Sequence, residues 1–201
     1  ICVLPQLDGK TTRVIVSCAP NVFLFTDEDG DGKADKKELL FTKVGQPQHD
    51  HSTHAFIFGP DGKFYWNYGN TGKGVSDRYG NPIVDIFGNT VNDSGKPYRQ
   101  GMAFRCNPDG SGFELVAHGV RNSVGLDWNP VTKELWFTSN GRDMLGDDVP
   151  PDTLNRVRKA GEDFGFPYCH AGDIPDPEFG ARKPCSAFTP PAQKLGAHVA
   201  A

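Results

Sequence analysis

A strand–turn–strand pattern recurs along this chain and limits what it can fold into. Ala55-Phe56-Ile57-Phe58-Gly59-Pro60-Asp61-Gly62-Lys63-Phe64-Tyr65-Trp66 is one copy, and Gly125-Leu126-Asp127-Trp128-Asn129-Pro130-Val131-Thr132-Lys133-Glu134-Leu135-Trp136-Phe137 is another. A third runs from Met102 through the turn Asn107-Pro108-Asp109-Gly110 to Phe113-Glu114-Leu115-Val116. A fourth pairs residues 22–25 with 38–41 around an acidic turn. In each, proline or glycine sets the backbone of the turn, while the flanking β-branched and aromatic side chains suit a pleated surface. The 24 Gly, 16 Pro and 11% aromatic residues fit short strands joined by tight turns. Long amphipathic helices are not evident. Recurring hairpins of this kind mark a propeller, sandwich or barrel.

The expectation is an all-β propeller over residues 1–201. A blade takes about 40–50 residues, so the chain holds roughly four blades. A closed ring of six would need more residues, and an open ring would expose sheet edges. The chain is therefore expected to be a partial propeller, or one completed by another chain. It begins directly on Ile1-Cys2-Val3-Leu4, which reads as a trimmed boundary that would have lost any export signal. Residues 71–100 are rich in Gly, Asn and Asp and read as a loop inserted on one face. Residues 141–192 are loop-rich, with many Pro, Gly and Asp.

A net charge of −4 gives no sign of a nucleic-acid or anionic-membrane surface. No apolar run approaches the roughly 20 residues of a membrane span. Of the five cysteines, Cys169 and Cys185 flank a Gly/Pro/Asp-rich stretch. They could close that loop as a disulfide, which would imply an oxidising compartment, or remain free buried thiols. No Cys-x-x-Cys-His is present, so no c-type haem attaches here.

Four segments could carry chemistry. In residues 27–38, oxygen-bearing side chains fall at loop positions 1, 3, 5, 9 and 12 with glycine at position 6, the EF-hand spacing for Ca²⁺. These are Asp27, Asp29, Asp31, Asp35 and Glu38. Both flanks read as strands, so the expectation is a calcium-stiffened hairpin turn or a solvated acidic turn. The second segment, His49-Asp50-His51-Ser52-Thr53-His54, gathers three of the six histidines directly before a strand. Neutral imidazole there can act as a base or a metal ligand. The spacing resembles a zinc-hydrolase motif with Thr53 at its aspartate position, and zinc held by His49, His51 and His54 is one alternative. Third, Arg121-Asn122 before a strand can clamp a planar acidic ligand, Arg by paired hydrogen bonds. Fourth, Gly141, Arg142, Asp143, Asp147 and Asp148 form a Gly-rich acidic loop that can offer oxygens to a cation.

In order, these motifs resemble the soluble quinoprotein sugar dehydrogenases, especially the sorbosone dehydrogenase-like branch. The resemblance rests on Asp50-His51 ahead of Gly59-Pro60-Asp61-Gly62, then Gly119-Val120-Arg121-Asn122, then the acidic loop from Asp143 to Asp152, then Phe164-Gly165-Phe166-Pro167. It covers roughly residues 20–200. It implies a six-bladed propeller carrying pyrroloquinoline quinone (PQQ) and Ca²⁺ on one face, in a periplasmic or secreted enzyme that oxidises an aldose at C1. Electrons would pass on to an acceptor such as a cytochrome or quinone. His51 would be the general base, Asp50 would orient it, and Arg121 and Asn122 would contact the cofactor. Gly141 and Arg142 would offer backbone carbonyls to the cofactor-side Ca²⁺. Two positions depart from the glucose dehydrogenases: His54-Ala55 replaces a Gly-Arg pair, and Arg142 stands at a proline position. A calcium-dependent lactonase-type propeller and a non-catalytic calcium-binding propeller are the remaining readings.

Overall fold

The computed structural model describes residues 1–45, 51–70, 74–91 and 101–201. Among them the regular structure is strand, apart from two single 3-10 turns at Gly180–Arg182 and Cys185–Ala187. The first sheet is a meander of β1 (Cys2–Val3), β2 (Thr12–Cys18), β3 (Asn21–Asp27) and β4 (Lys36–Thr42), each antiparallel to the next. The acidic turn joins β3 to β4, so its flanks are strands, as the sequence indicates. Alternation along β3 sends Val22 into the core and leaves Phe23 and Phe25 half-buried on the opposite face. A register shift opposite Val22 and Phe23 places the adjacent Leu40 and Phe41 both in the core.

The second sheet begins with β5 (Thr53–Phe58) and β6 (Phe64–Tyr68), the hairpin closed by Gly59-Pro60-Asp61-Gly62. β7 (Ser76–Asp77) leaves this sheet and pairs with β4 of the first. β8 (Met102–Cys106) and β9 (Glu114–His118) then return and extend the second sheet from β6. Two of the hairpins seen in sequence thus share one sheet, because β6 pairs directly with β8. The third sheet takes β10 (Leu126–Trp128), β11 (Leu135–Ser139) and β12 (Pro151–Val157). β13 (Glu162–Asp163) crosses back to lie parallel to β9. β14 (Cys169–His170) and β15 (Ile174–Pro175) form a separate small hairpin, and β16 (Gln193–Ala197) completes the third sheet beside β12. The described residues therefore form sheets of five, five, four and two strands.

The second sheet is buried on both faces, and β6 shows why. Its sequence Phe-Tyr-Trp-Asn-Tyr does not alternate apolar with polar, and every residue is buried. Phe64, Trp66 and Tyr68 face the first sheet and join Ile15, Val22 and Phe41 in one hydrophobic cluster. Trp66 stacks on Phe41 of β4 at 5.5 Å and lies 5.1 Å from Phe104 of β8. Tyr65 faces the other way, into a second cluster with Val116, Leu135 and Phe137. Its ring meets Trp128 of the third sheet edge-on at 4.9 Å. Truncating a ring so enclosed costs about 3–5 kcal/mol. The second sheet is thus packed between the first and the third.

Within the segment expected to be an inserted loop, residues 74–91 form two successive turns of one design. Asp77 accepts the amide N–H groups of Tyr79 and Asn81, and Asp85 accepts those of Phe87 and Asn89. Val75 and Val91, at the ends, are buried in the first cluster. Residues 141–192 include β12 through β15, together with a disulfide between Cys169 and Cys185.

Candidate functional site

The residues picked out around His51, Arg121 and Gly141 meet in one open cleft of about 480 Å³. His51 and His54 reach it from the start of β5. Arg121 and Asn122 reach it from the segment entering β10, and Asn140, Gly141 and Asp143 from the exit of β11. Three backbone hydrogen bonds tie these segments together across the cleft floor. Gly69 N–H donates to the Ser52 carbonyl at 3.0 Å, Asn70 N–H to the Arg121 carbonyl at 2.8 Å, and Asn140 N–H to the Asn122 carbonyl at 2.9 Å. The close approach needs glycine at 69. A Cβ there would lie 2.6 Å from Asn122 Oδ1 and 2.7 Å from the His51 carbonyl oxygen.

His51 Nδ1 lies 2.5 Å from Asn70 Oδ1. A carbonyl oxygen only accepts, so Nδ1 carries the proton and the ring's lone pair lies on Nε2. Asn70 follows β6 by two residues, where a sequence offers no signal to separate it from any polar loop residue. The expected partner Asp50, with His49, lies outside the described residues.

Arg121 holds the opposite wall, its side chain only 11% exposed. Nη1–H donates to the Gly141 carbonyl at 2.6 Å, and Nη2–H donates to Asp143. The Asp143 carboxylate is 66% exposed. Asp152, almost wholly buried on β12, accepts the Gly141 N–H at 2.8 Å. Asn122 is 3% exposed, and among the described residues no donor reaches its Oδ1 or that of Asn140. Buried amide oxygens without donors are costly unless something else completes them. The Arg121 guanidinium thus suits the oxygens of a planar, acidic molecule and glycine at 69 clears the floor, whereas the Asn122 and Asn140 carbonyl oxygens, being acceptors, call for a donor. For a cation, the Gly141 carbonyl and Asp143 are suitable oxygens, and both now take hydrogens from Arg121.

For Arg142 the expectation concerned the backbone carbonyl, and the side chain has partners of its own. Its side chain turns from the cleft to Asp176 and Glu178. Asp176 also takes His170 Nε2 at 2.8 Å and the Glu178 and Phe179 amides at 2.9 Å. Burial alone would raise the Asp176 carboxyl, but bonds from His170, Phe179, Arg142 and Glu178 outweigh it and hold it well below the usual carboxylate range. Burial lowers His170 and prevails over the attraction of Asp176, helped by the charges of Arg142 and Arg121.

In the acidic turn, Asp27, Asp29 and Asp35 bring one oxygen each within 4.8 Å of one another. Asp31 and Glu38 are not in that group: Asp31 caps the Lys33 amide, and Glu38 pairs with Arg78 at 3.4 Å.

A match to the family described as "Domain of unknown function (DUF7133)" covers residues 9–163. The chain belongs to this family. The span matched to DUF7133 takes in His51, Asn70, Arg121, Gly141 and Asp152, whereas His170 and Asp176 lie beyond it. An uncharacterized protein of Borreliella burgdorferi strain B31 is 36% identical over 125 residues, 62% of this chain and 33% of that protein. A solved structure described as glucose dehydrogenase is 17% identical with a TM-score of 0.58, over 97% of this chain and 57% of its own. A second, also described as glucose dehydrogenase, is 16% identical with a TM-score of 0.57, over 95% and 56%. The DUF7133 chain thus spans a third of the curated relative and little more than half of these structures, and the likeness to the latter is one of fold.

Proposed function

We propose that this chain is part of a PQQ- and Ca²⁺-dependent sugar dehydrogenase of the sorbosone dehydrogenase-like branch, its sheets being blades of a six-bladed propeller. One observation carries the reading: His51, its lone pair set on Nε2 by Asn70, lines the same cleft as Arg121 and Asn122. The glucose dehydrogenase fold of its structural neighbours supports it.

Oxidation of an aldose at C1 removes a proton from the hydroxyl and a hydride from the carbon. His51 Nε2 takes the proton, and Asn70 holds the ring upright through Nδ1 while it does so. PQQ would supply the acceptor for the hydride, and the Gly141 and Arg142 backbone carbonyls would hold a Ca²⁺ that would polarise it. Arg121 gives up its bond to the exposed Asp143 and offers N–H groups to the cofactor oxygens, where its charge offsets developing negative charge. Asn122 fixes the same ligand through its amide. Asp27, Asp29 and Asp35 hold a second Ca²⁺ that stiffens the β3–β4 turn. The disulfide supports a periplasmic or secreted location, and the acceptor of electrons is a cytochrome or quinone.

Reconstituted with PQQ and Ca²⁺ and given a panel of aldoses, the protein is expected to reduce an artificial electron acceptor. His51→Ala abolishes turnover and retains quinone binding. Absence of both quinone binding and dye reduction across the panel would overturn the proposal.

A further inference from the structure

Arg121 is placed by the short segment Gly141-Arg142-Asp143, which belongs to no strand. Beyond it the chain is largely exposed, with Met144 at 96%. Nothing in such a loop by itself would hold a carbonyl to within a few tenths of an ångström. Two buried carboxylates do so from below. Asp152 accepts the Gly141 N–H, and Asp176 accepts the Arg142 guanidinium. Between these anchors the Gly141 carbonyl is aimed at Arg121 Nη1. Gly141 fits tightly here: a Cβ would lie 2.9 Å from Pro150 Cγ and 3.0 Å from the Pro150 carbonyl oxygen.

We propose that Asp176 is a positioning residue for the cleft: together with His170 it grips Arg142, and through the Gly141 carbonyl it fixes the Arg121 guanidinium. Asp176 suits this task because its own place is over-determined. Its side chain is wholly buried, its Oδ1 takes two backbone amides, and His170 braces its Oδ2. Both His170 and Asp176 lie inside the loop that the Cys169–Cys185 disulfide closes. A small cavity of about 40 Å³, lined by Arg121, Asn140, Arg142 and His170, lies between the brace and Arg121. The brace lies 55 residues along the chain from the guanidinium it serves (176 − 121) and reaches the proposed ligand site only through Arg142. The inference rests on the proposed role of Arg121, but its test does not.

The Arg121 side-chain signal, assigned by its loss in Arg121→Lys, is followed by proton–nitrogen NMR in the disulfide-intact protein. Asp176→Asn keeps an acceptor for the backbone amides and removes the charge. Arg142→Met severs the link and leaves His170 and Asp176 together. In both, hydrogen exchange at the Arg121 guanidinium is expected to rise at least tenfold, with amide exchange in β6 and β8 unchanged. A folded Arg142→Met or Asp176→Asn protein with wild-type Arg121 exchange would overturn the proposal. So would loosening spread equally over β6 and β8. PQQ titration is the second readout, with affinity expected to fall about tenfold in both variants while Asp173→Asn, on the exposed Lys194 pair, matches wild type. Failure of all proteins to bind PQQ, with Arg121 loosened as expected, would sink the dehydrogenase reading and leave the brace standing.

Discussion

The chain carries two concentrations of carboxylates, and they behave in opposite ways. The β3–β4 turn gathers Asp27, Asp29 and Asp35 at the surface, where they cap one another's turns through the amides of Gly30, Asp31 and Glu28. Water and salt screen them, so each interaction contributes little. Asp152 and Asp176 are spread along the chain and buried: Asp152 takes the Gly141 amide, and Asp176 takes Arg142, His170 and two backbone amides. The lesson is that density of charge along a sequence does not locate its energetic weight. Burial does, because a buried donor left without its acceptor cannot turn to water.

The comparison breaks most readily at Asp176. Asp176→Ala is expected to lower stability by about 3 kcal/mol, the cost of stranding a partly buried Arg142 and the capped amides. In a chain of this size that corresponds to a fall of roughly 6–12 °C in melting temperature. A loss under about 0.5 kcal/mol in a denaturant titration would put this carboxylate on a par with a surface residue.

Acid should find the same place next. His170 is lowered in the folded protein, so its neutral form contributes stability that is complete above its unfolded pKa and lost as pH falls. The loss starts below about pH 6.5. Asp176 is likewise lowered, and its contribution fades below about pH 4, where the unfolded carboxyl takes up a proton. Unfolding midpoints measured from pH 7.5 to 4 should fall, and His170→Asn should remove the part of the slope that begins near pH 6.5. Identical slopes in the two proteins would contradict the assignment.

The smallest effect is expected at the acidic turn. In calcium-free buffer, Asp29→Asn should leave stability within about 0.5 kcal/mol of wild type. Millimolar Ca²⁺ should then raise the melting temperature of the wild type and not of the variant. Equal responses would leave Asp27, Asp29 and Asp35 as a solvated turn.

These contrasts bear on how much the amino-acid pattern reveals. The hairpins at residues 55–66 and 125–137 were legible because proline, glycine and aromatic residues mark turn and strand locally. Grouping was not: the hairpins at residues 55–66 and 102–116 looked like separate units, yet β6 pairs with β8 and they share a sheet. His51, Arg121 and Asn122 stood out by type and by their position before strands. Asn70 did not, since its value comes from a 2.5 Å contact made across 19 residues. Arg142 was expected to serve through its backbone alone; its side chain finds a buried acid 34 residues away, a pairing that only the fold defines.

The central claim is that Asn70 sets the basic atom of His51 in the cleft. Nitrogen NMR of the ring, recorded at alkaline pH, tests it directly. Protonated Nδ1 and bare Nε2, with loss of that preference in Asn70→Ala, is the predicted result. A ring protonated at Nε2 in the wild-type protein would contradict the account, because the atom assigned to take the substrate's proton would already carry one.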